Sequence, residues 1–260
     1  MKNVFRSQLR AMAINVWLEA IRDRFLYILT GSGIVVLLSS LILGRMAVGG
    51  QERVIQNTGF WVMGIWGLLA VIYLGSNIVR QEIERHTVYL VLSRPVNRPT
   101  FLLGKFIGMV LVLFSAFCLL ATAWLAVMQF KAVPLTSRHF WALIFIFGEW
   151  ILLSAFSLFF ASFTSPLLHN FFLVGITFLG HWSNDLRLFA ENADTIWIKN
   201  LLKAIYYILP NLEALNFREA ALYNEIISSA LMIEAAGVLI CWISAALIAA
   251  NIIFVRRKLL

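Results

Sequence analysis

Apolar residues in this chain fall into long unbroken runs separated by short charged stretches. A helix rises ~1.5 Å per residue and the hydrocarbon core of a bilayer is ~30 Å thick, so about 20 apolar residues suffice to cross it. Six runs qualify: Phe25–Val48, Thr58–Val79, Pro99–Phe130, His139–Thr164, the shorter Pro166–Trp182, and Ile226–Val255. The fourth and fifth would read as one helix but for Ser165-Pro166, where proline removes a backbone donor and clashes with the preceding turn. No strand pattern, internal repeat or linker interrupts the series. The expectation is an all-α polytopic membrane protein with six transmembrane helices, folded as one domain over residues 1–260.

Two segments outside the runs carry patterns of their own. In residues 4–21, Leu9, Met12, Ala13 and Val16 share one helical stripe, while Arg6, Arg10 and Arg22 can reach lipid phosphates, which predicts an N-terminal interfacial helix. Ser183 to Glu225 alternates charge with apolar pieces such as Ile196–Ile198 and Ala204–Leu209, and Pro210-Asn211 breaks it. That pattern predicts short helices lying in, or dipping into, the outer leaflet.

Composition fits the pattern. Apolar residues make up 61% of the 260 and charged residues 13%, about half the share of an ordinary soluble domain. Lipid must cover the surplus. The net charge of +8 would suggest nucleic acid in a soluble protein. Here most of the 21 Lys and Arg collect in alternate loops, together with a minority of the 13 acids. The positive-inside rule then places both termini in the cytoplasm of a bacterial inner membrane and removes the need for a nucleic-acid partner. The first run is too long, and lacks the small-residue cleavage site, for a signal peptide. Cys118 and Cys241 lie singly in apolar runs and give no disulfide framework.

The same charge pattern puts Arg80–Gly108 in the cytoplasm. Arg80 to Ser93 has no glycine or proline. Ile83, Thr87, Val88, Leu90 and Val91 can form its apolar face, with Glu82, Glu84 and Arg85 turned to water or to a protein. Pro95 stops the helix and pushes Arg94 out of helical dihedrals. Pro99 suits the first turn of the next span. Arg98 lies between them, and Lys105 can snorkel outward from within that span. Gly104 and Gly108 form a small-xxx-small pair that lets another helix approach closely.

These residues resemble the signature of ABC-2-type (type V) transporter permeases: Glu82-x-x-x-x-Thr87, Leu92-Ser93-Arg94-Pro95-x-x-Arg98, and Leu103-Gly104-Lys105-x-x-Gly108. The likeness is strongest to the nitrous oxide reductase maturation and gliding motility subgroup. Leu209-Pro210-Asn211-Leu212 before the last span fits as well. The resemblance implies a permease subunit of an exporter. Two copies of a cytoplasmic ABC ATPase, holding the ATP and Mg, would grip Arg80–Leu92 as a coupling helix, with Arg80, Glu82, Ile83, Glu84, Arg85, Thr87 and Leu90 as contacts. It implies a second permease chain, a homodimer in the simplest case, and outer re-entrant helices between the last two spans. The same motif would serve an alternative role, an ATP-driven scaffold that works on a periplasmic partner without moving a solute.

The chain's own chemistry is sparse. A phosphate-binding loop needs G-x-x-x-x-G-K-[ST]. At the single Gly-Lys pair, Pro99 stands where the earlier glycine belongs and Phe106 replaces the hydroxyl residue. The expectation is a chain that is no enzyme, holds no cofactor or metal, and draws ATP work from a partner. His86, His139, His169 and His181 form no ligand cluster at helical spacing. Gly31-Ser32-Gly33 looks like a nucleophile turn but sits within a span without a nearby base, and helix packing explains it better. The nine Trp and 21 Phe suit aromatic belts and lipid-facing surfaces. Glu149 is the exception. It falls in the middle of the fourth run, where an ionised carboxylate is costly and marks a translocation path or a buried pair.

Overall fold

A computed structural model describes residues 2–47, 49–84, 98–193 and 195–256, with only the backbone course given for 2–4, 78–84 and 98. The described residues form helices: α1 (Lys2–Ile21), α2 (Arg24–Met46), α3 (Gln51–Glu84), α4 (Arg98–Phe130), α5 (Ser137–Ala161), α6 (Pro166–His181), α7 (Ser183–Glu191), α8 (Ile196–Ile208), α9 (Arg218–Leu222) and α10 (Ser229–Arg256). A 3-10 turn at Glu213–Leu215 precedes α9. Five of them, α2, α3, α4, α5 and α10, are long and apolar enough to cross a membrane. The sixth expected span, α6, is apolar but has only 16 residues, ~24 Å of rise against a ~30 Å core.

Local chemistry sets most boundaries. Asp23 starts α2 by accepting from the Phe25 amide at 2.9 Å, which satisfies one of the orphan donors of a first turn. Pro166 occupies the first turn of α6, where a missing N–H costs nothing. Past Phe130 the chain turns through Ala132 at φ 54°. The helix outruns the second span: α3 runs unbroken from Gln51 to Glu84, 34 residues in all and ~50 Å of rise, with Gln51–Asn77 as the stretch apolar enough to cross. Arg80, Glu82, Ile83 and Glu84 therefore form the last turns of that helix, beyond its apolar stretch. Arg85, Thr87, Leu90, Arg94 and Pro95 lie outside the described residues.

Successive spans joined by short connections alternate in direction, so the bundle has a terminal end, towards which α3 and α10 run, and a hairpin end that carries α7 and α8. The core is centred on α3. Gly59, Gly67 and Gly75 recur every eight residues along it, and each lies under a neighbour's side chain. A Cβ at Gly59 would overlap the Trp124 ring, one at Gly67 the Trp150 ring, and one at Gly75 the side chains of Ser157 and His169. The bare backbone lets each indole lie flat on the helix. Trp124 Nε1 donates to the Ile55 carbonyl and Trp150 Nε1 to that of Met63, both at 3.2 Å. Those carbonyls stand four residues before Gly59 and Gly67. Trp124 and Trp150 are thus core residues, 0% and 1% exposed, and neither belongs to an aromatic belt. Trp66 Nε1 repeats the motif on α2, donating to Leu29 O at 2.7 Å.

The N-terminal helix forms with the predicted stripe, but the stripe is turned onto α4. Met12 packs over Gly104, and Val16 with the Ala13 carbonyl over Gly108. Trp17 Nε1 reaches Ser115 Oγ at 3.2 Å. The expected close helix approach at Gly104 and Gly108 is therefore made by α1. Its other side leaves Phe5, Ile14, Leu18 and Ile21 exposed, a surface suited to lipid. Lys105, a turn away, lies 4.5 Å over the Phe101 ring. Ser32 spends its hydroxyl on Leu29 O and accepts from Trp66, so it is a packing residue.

Candidate functional site

Glu149 sits 12 residues into α5, ~18 Å from its start, and its side chain is 7% exposed. A carboxylate at that depth needs charged or donor partners, because burial strips its hydration. Two residues supply them. His181, the last residue of α6, donates from Nε2 to Oε1 at 2.9 Å. Arg218, the first residue of α9, donates from NH2 to Oε2 at 3.2 Å. Each carboxylate oxygen thus has its own donor, the His181 contact at charge-assisted hydrogen-bond distance and the Arg218 contact somewhat longer. Glu213 stands on the far side of the imidazole, 3.9 Å from Nδ1.

The segment between Leu209 and Leu222 makes this possible. It does not run over the bundle surface. Leu212, Leu215, Phe217 and Ala221 are all buried in the main core. The Leu212 amide donates to Gly180 O at 3.1 Å, joining the segment to the last turn of α6. Only glycine fits there, since a Cβ at Gly180 would meet Leu212 and the Pro210 carbonyl. Ser183 donates to the Asn211 side-chain oxygen, which also accepts from the Ala214 amide. Pro210-Asn211 is the pivot at which the chain turns inward. Arg218 then lies against Gly64 of α3, where a Cβ would come within 3.1 Å of the guanidinium.

The cluster faces a cavity of about 570 Å³ between α3 and α6. Trp61, Ile65, Val174 and Phe178 form its apolar walls, and Glu149, His181, Glu213, Arg218 and Glu219 its polar end. A cavity of this size that joins apolar walls to a few convergent charges is the ordinary form of a small-molecule site.

Sequence reasoning singled out Glu149 and passed over its partners. His181 stood there only as one of four histidines without a ligand cluster, and Arg218 was not singled out. The signal available was an energetic one: a carboxylate in the middle of a span demands a base. Glu234 is exposed on α10. Of the residues expected in a coupling helix, Arg80, Glu82, Ile83 and Glu84 lie at the far end of α3 from this cluster, and Arg85, Thr87, Leu90 and the expected elbow at Pro95 lie outside the described residues. Gly104 and Gly108 belong to the α1–α4 contact, and Lys105 lies beside Phe101, Leu158 and Phe254. Among the described residues, no group of three His, Cys, Asp or Glu could hold a metal ion.

No curated protein matches the chain. A family model, ABC-2 family transporter protein, matches residues 32–259.

Proposed function

Because the chain belongs to the ABC-2 transporter family and is a multi-pass membrane protein, a transporter permease, we propose that it is the permease subunit of an exporter. In this reading ATP is hydrolysed by two copies of a separate cytoplasmic ATPase, and a second permease chain completes the complex. The chain lies in a bacterial inner membrane with both termini in the cytoplasm. α6 is the sixth crossing, completed by local thinning or by its continuation past Trp182. Leu209 to Leu222 is the re-entrant element on the outer side.

One observation carries the reading: α3 is a single helix from Gln51 to Glu84. Its middle forms the wall of the charged cavity at Trp61 and Gly64, and its last turn bears Glu82 and Glu84. A rigid rod shared by a cavity and a docking end is what coupling requires. Movement of an ATPase at Glu82–Leu92 tilts α3, shifts Gly64 against Arg218, and works on the Glu149 pair at the hairpin end. The phosphate-loop residues absent at Pro99 and Phe106 explain why the motor must be a partner.

The test is affinity purification from native membrane with mass spectrometry of the chains recovered. Wild type should bring down an ATPase. Glu82→Lys with Glu84→Lys should lose most of it while the permease still inserts in the membrane. Equal recovery and equal ATP turnover in that double variant would remove the docking assignment.

A scaffold that remodels a periplasmic partner is the second reading. It is favoured by α8, which has no buried residue. Recovery of a periplasmic protein that is lost when α7 and α8 are replaced by a short linker would favour it over transport.

A further inference from the structure

A second cavity, of about 520 Å³, opens nearer the terminal end between α2, α3 and α6. Its chemistry differs from that of the charged cavity. Leu69, Ile72 and Leu167 form apolar walls, and Leu167 is 81% exposed at the rim. Tyr73, Ser76, Asn77 and Asn170 supply the polar groups, and among the described residues that line it none is charged.

Hydrogen bonding limits what Asn170 offers. Its Oδ1 lies 3.0 Å from His169 Nδ1 and accepts from Ser76 Oγ. With that oxygen as the acceptor, the His169 proton sits on Nδ1. His169 Nε2 is then an acceptor, and Ser157 donates to it at 2.9 Å. Every donor along Ser157, His169 and Ser76 is spent. Both lone pairs of the Asn170 carbonyl are taken, so its NH2 group, with no partner among the described residues, is what it presents to the cavity. His169 and Ser157 are 0% exposed, and turning the amide over with the His169 proton moved to Nε2 keeps the same three contacts, so Asn170 meets the cavity through one half of its amide in either sense. Tyr73 is occupied too, donating to Asp23.

We infer that this cavity binds a lipid-like amphiphile whose uncharged head carries hydroxyl or amide groups, able both to donate and to accept a hydrogen bond, held by the Asn170 side-chain amide. Its chain lies along Leu69, Ile72 and Leu167. The volume suits a whole small molecule. A charged head would lose its hydration there without gaining an ion partner from the described lining. The inference rests on the chain's place in the membrane and is independent of whether the bound molecule crosses.

The test uses the full chain in phosphatidylcholine nanodiscs. One probe is a monoacylglycerol with a diazirine in its acyl chain, and the other is the matching fatty acid, an anion. Cross-linked peptides are located by mass spectrometry. Monoacylglycerol labelling should concentrate at residues 69–77 and 166–170 and fall when unlabelled monoacylglycerol competes. The fatty acid should label there about ten-fold less. Asn170→Leu should cut the labelling about ten-fold, the worth of one or two neutral hydrogen bonds. Leu167→Trp, at an exposed rim position, should cut it similarly while elution volume and Tm stay at wild type. That variant decides the matter if Asn170→Leu fails to fold. Labelling spread evenly onto exposed α10 positions such as Ile240 and Ile248 would overturn the inference. So would equal labelling by the fatty acid, or full labelling in Leu167→Trp.

Discussion

The two polar clusters along the α3–α6 groove each centre on a histidine of α6, twelve residues apart, and they are built in opposite ways. His169 joins neutral groups on three helices: Ser157 of α5, Asn170 beside it, and through Asn170 Ser76 of α3. All these partners sit within long, regular helices. His181 joins charged groups, and one of them, Arg218, belongs to a short turn of helix hung between two irregular stretches. The neutral cluster clamps elements that would be adjacent anyway. The ionic cluster holds in place a segment that its own backbone does not. Buried ion pairs contribute little net stability compared with apolar packing but strongly penalise the loss of one partner. The Glu149 cluster is therefore the place where a conformational change can be made all-or-none.

The largest expected effect breaks that cluster. Arg218→Ala leaves Glu149 buried with His181 alone and should cost about 3 kcal/mol, as for other buried pairs that lose one member. Thermal unfolding of the detergent-purified protein reads it. Glu149→Gln with Arg218→Gln removes both charges, and the double variant should be less damaged than the two single losses predict, by about 1–3 kcal/mol of coupling. Additive losses would mean that the pair is incidental to how Leu209–Leu222 is held.

The next effect tests the rigid wall. Gly67→Ala places a methyl group in the Trp150 ring and should cost about 1–3 kcal/mol by overpacking, with a change in tryptophan near-UV circular dichroism. Gly31→Ala is the control. Nothing lies within 4 Å of its would-be Cβ, so it should be neutral or slightly stabilising, since alanine suits a helix better. Equal losses at both positions would mean that α3 is not the close-packed spine described.

Ser157→Ala probes the neutral cluster and should cost about 1 kcal/mol, the net worth of one hydrogen bond. It should also free His169 to turn and so reduce the hold on Asn170. A loss as large as that of Arg218→Ala would erase the contrast between the clusters.

How much of this was legible in the sequence depends on the distance over which each feature is encoded. The apolar runs, the Ser165-Pro166 break and the stripe through Met12 and Val16 are local, and each forms close to where it is expected. Glu149 was conspicuous because burial of a carboxylate is costly wherever it occurs. Arg218 was not, because it reaches Glu149 only after Pro210-Asn211 turns the chain inward, 69 residues further on. The spacing of Gly59, Gly67 and Gly75 was present in the sequence. Its partners, Trp124, Trp150 and the Ser157–His169 pair, come from three other helices, and nothing local says that a tryptophan will lie on a glycine instead of in a belt. α3 begins at Gln51, before the expected Thr58, and carries on through Arg80–Glu84 as one helix, because hydropathy ends at the bilayer whereas the helix continues through its polar turns.

The smallest expected effect concerns the hairpin of α7 and α8. Arg187 and Glu191 form an i,i+4 pair at 3.1 Å, with side chains 66% and 53% exposed. The adjoining α8 leaves Ile196, Trp197, Tyr207 and Ile208 exposed. An exposed pair gains little Coulomb energy in water and loses side-chain entropy, so Arg187→Gln should leave the Tm of the isolated chain unchanged. The informative comparison is the same variant in the assembled complex. If the hairpin stands alone or lies against lipid, the complex should melt as wild type does. A clear drop confined to the complex would mean that the pair meets a protein there, and that the weakest-tied region of the chain is an interface held by another molecule.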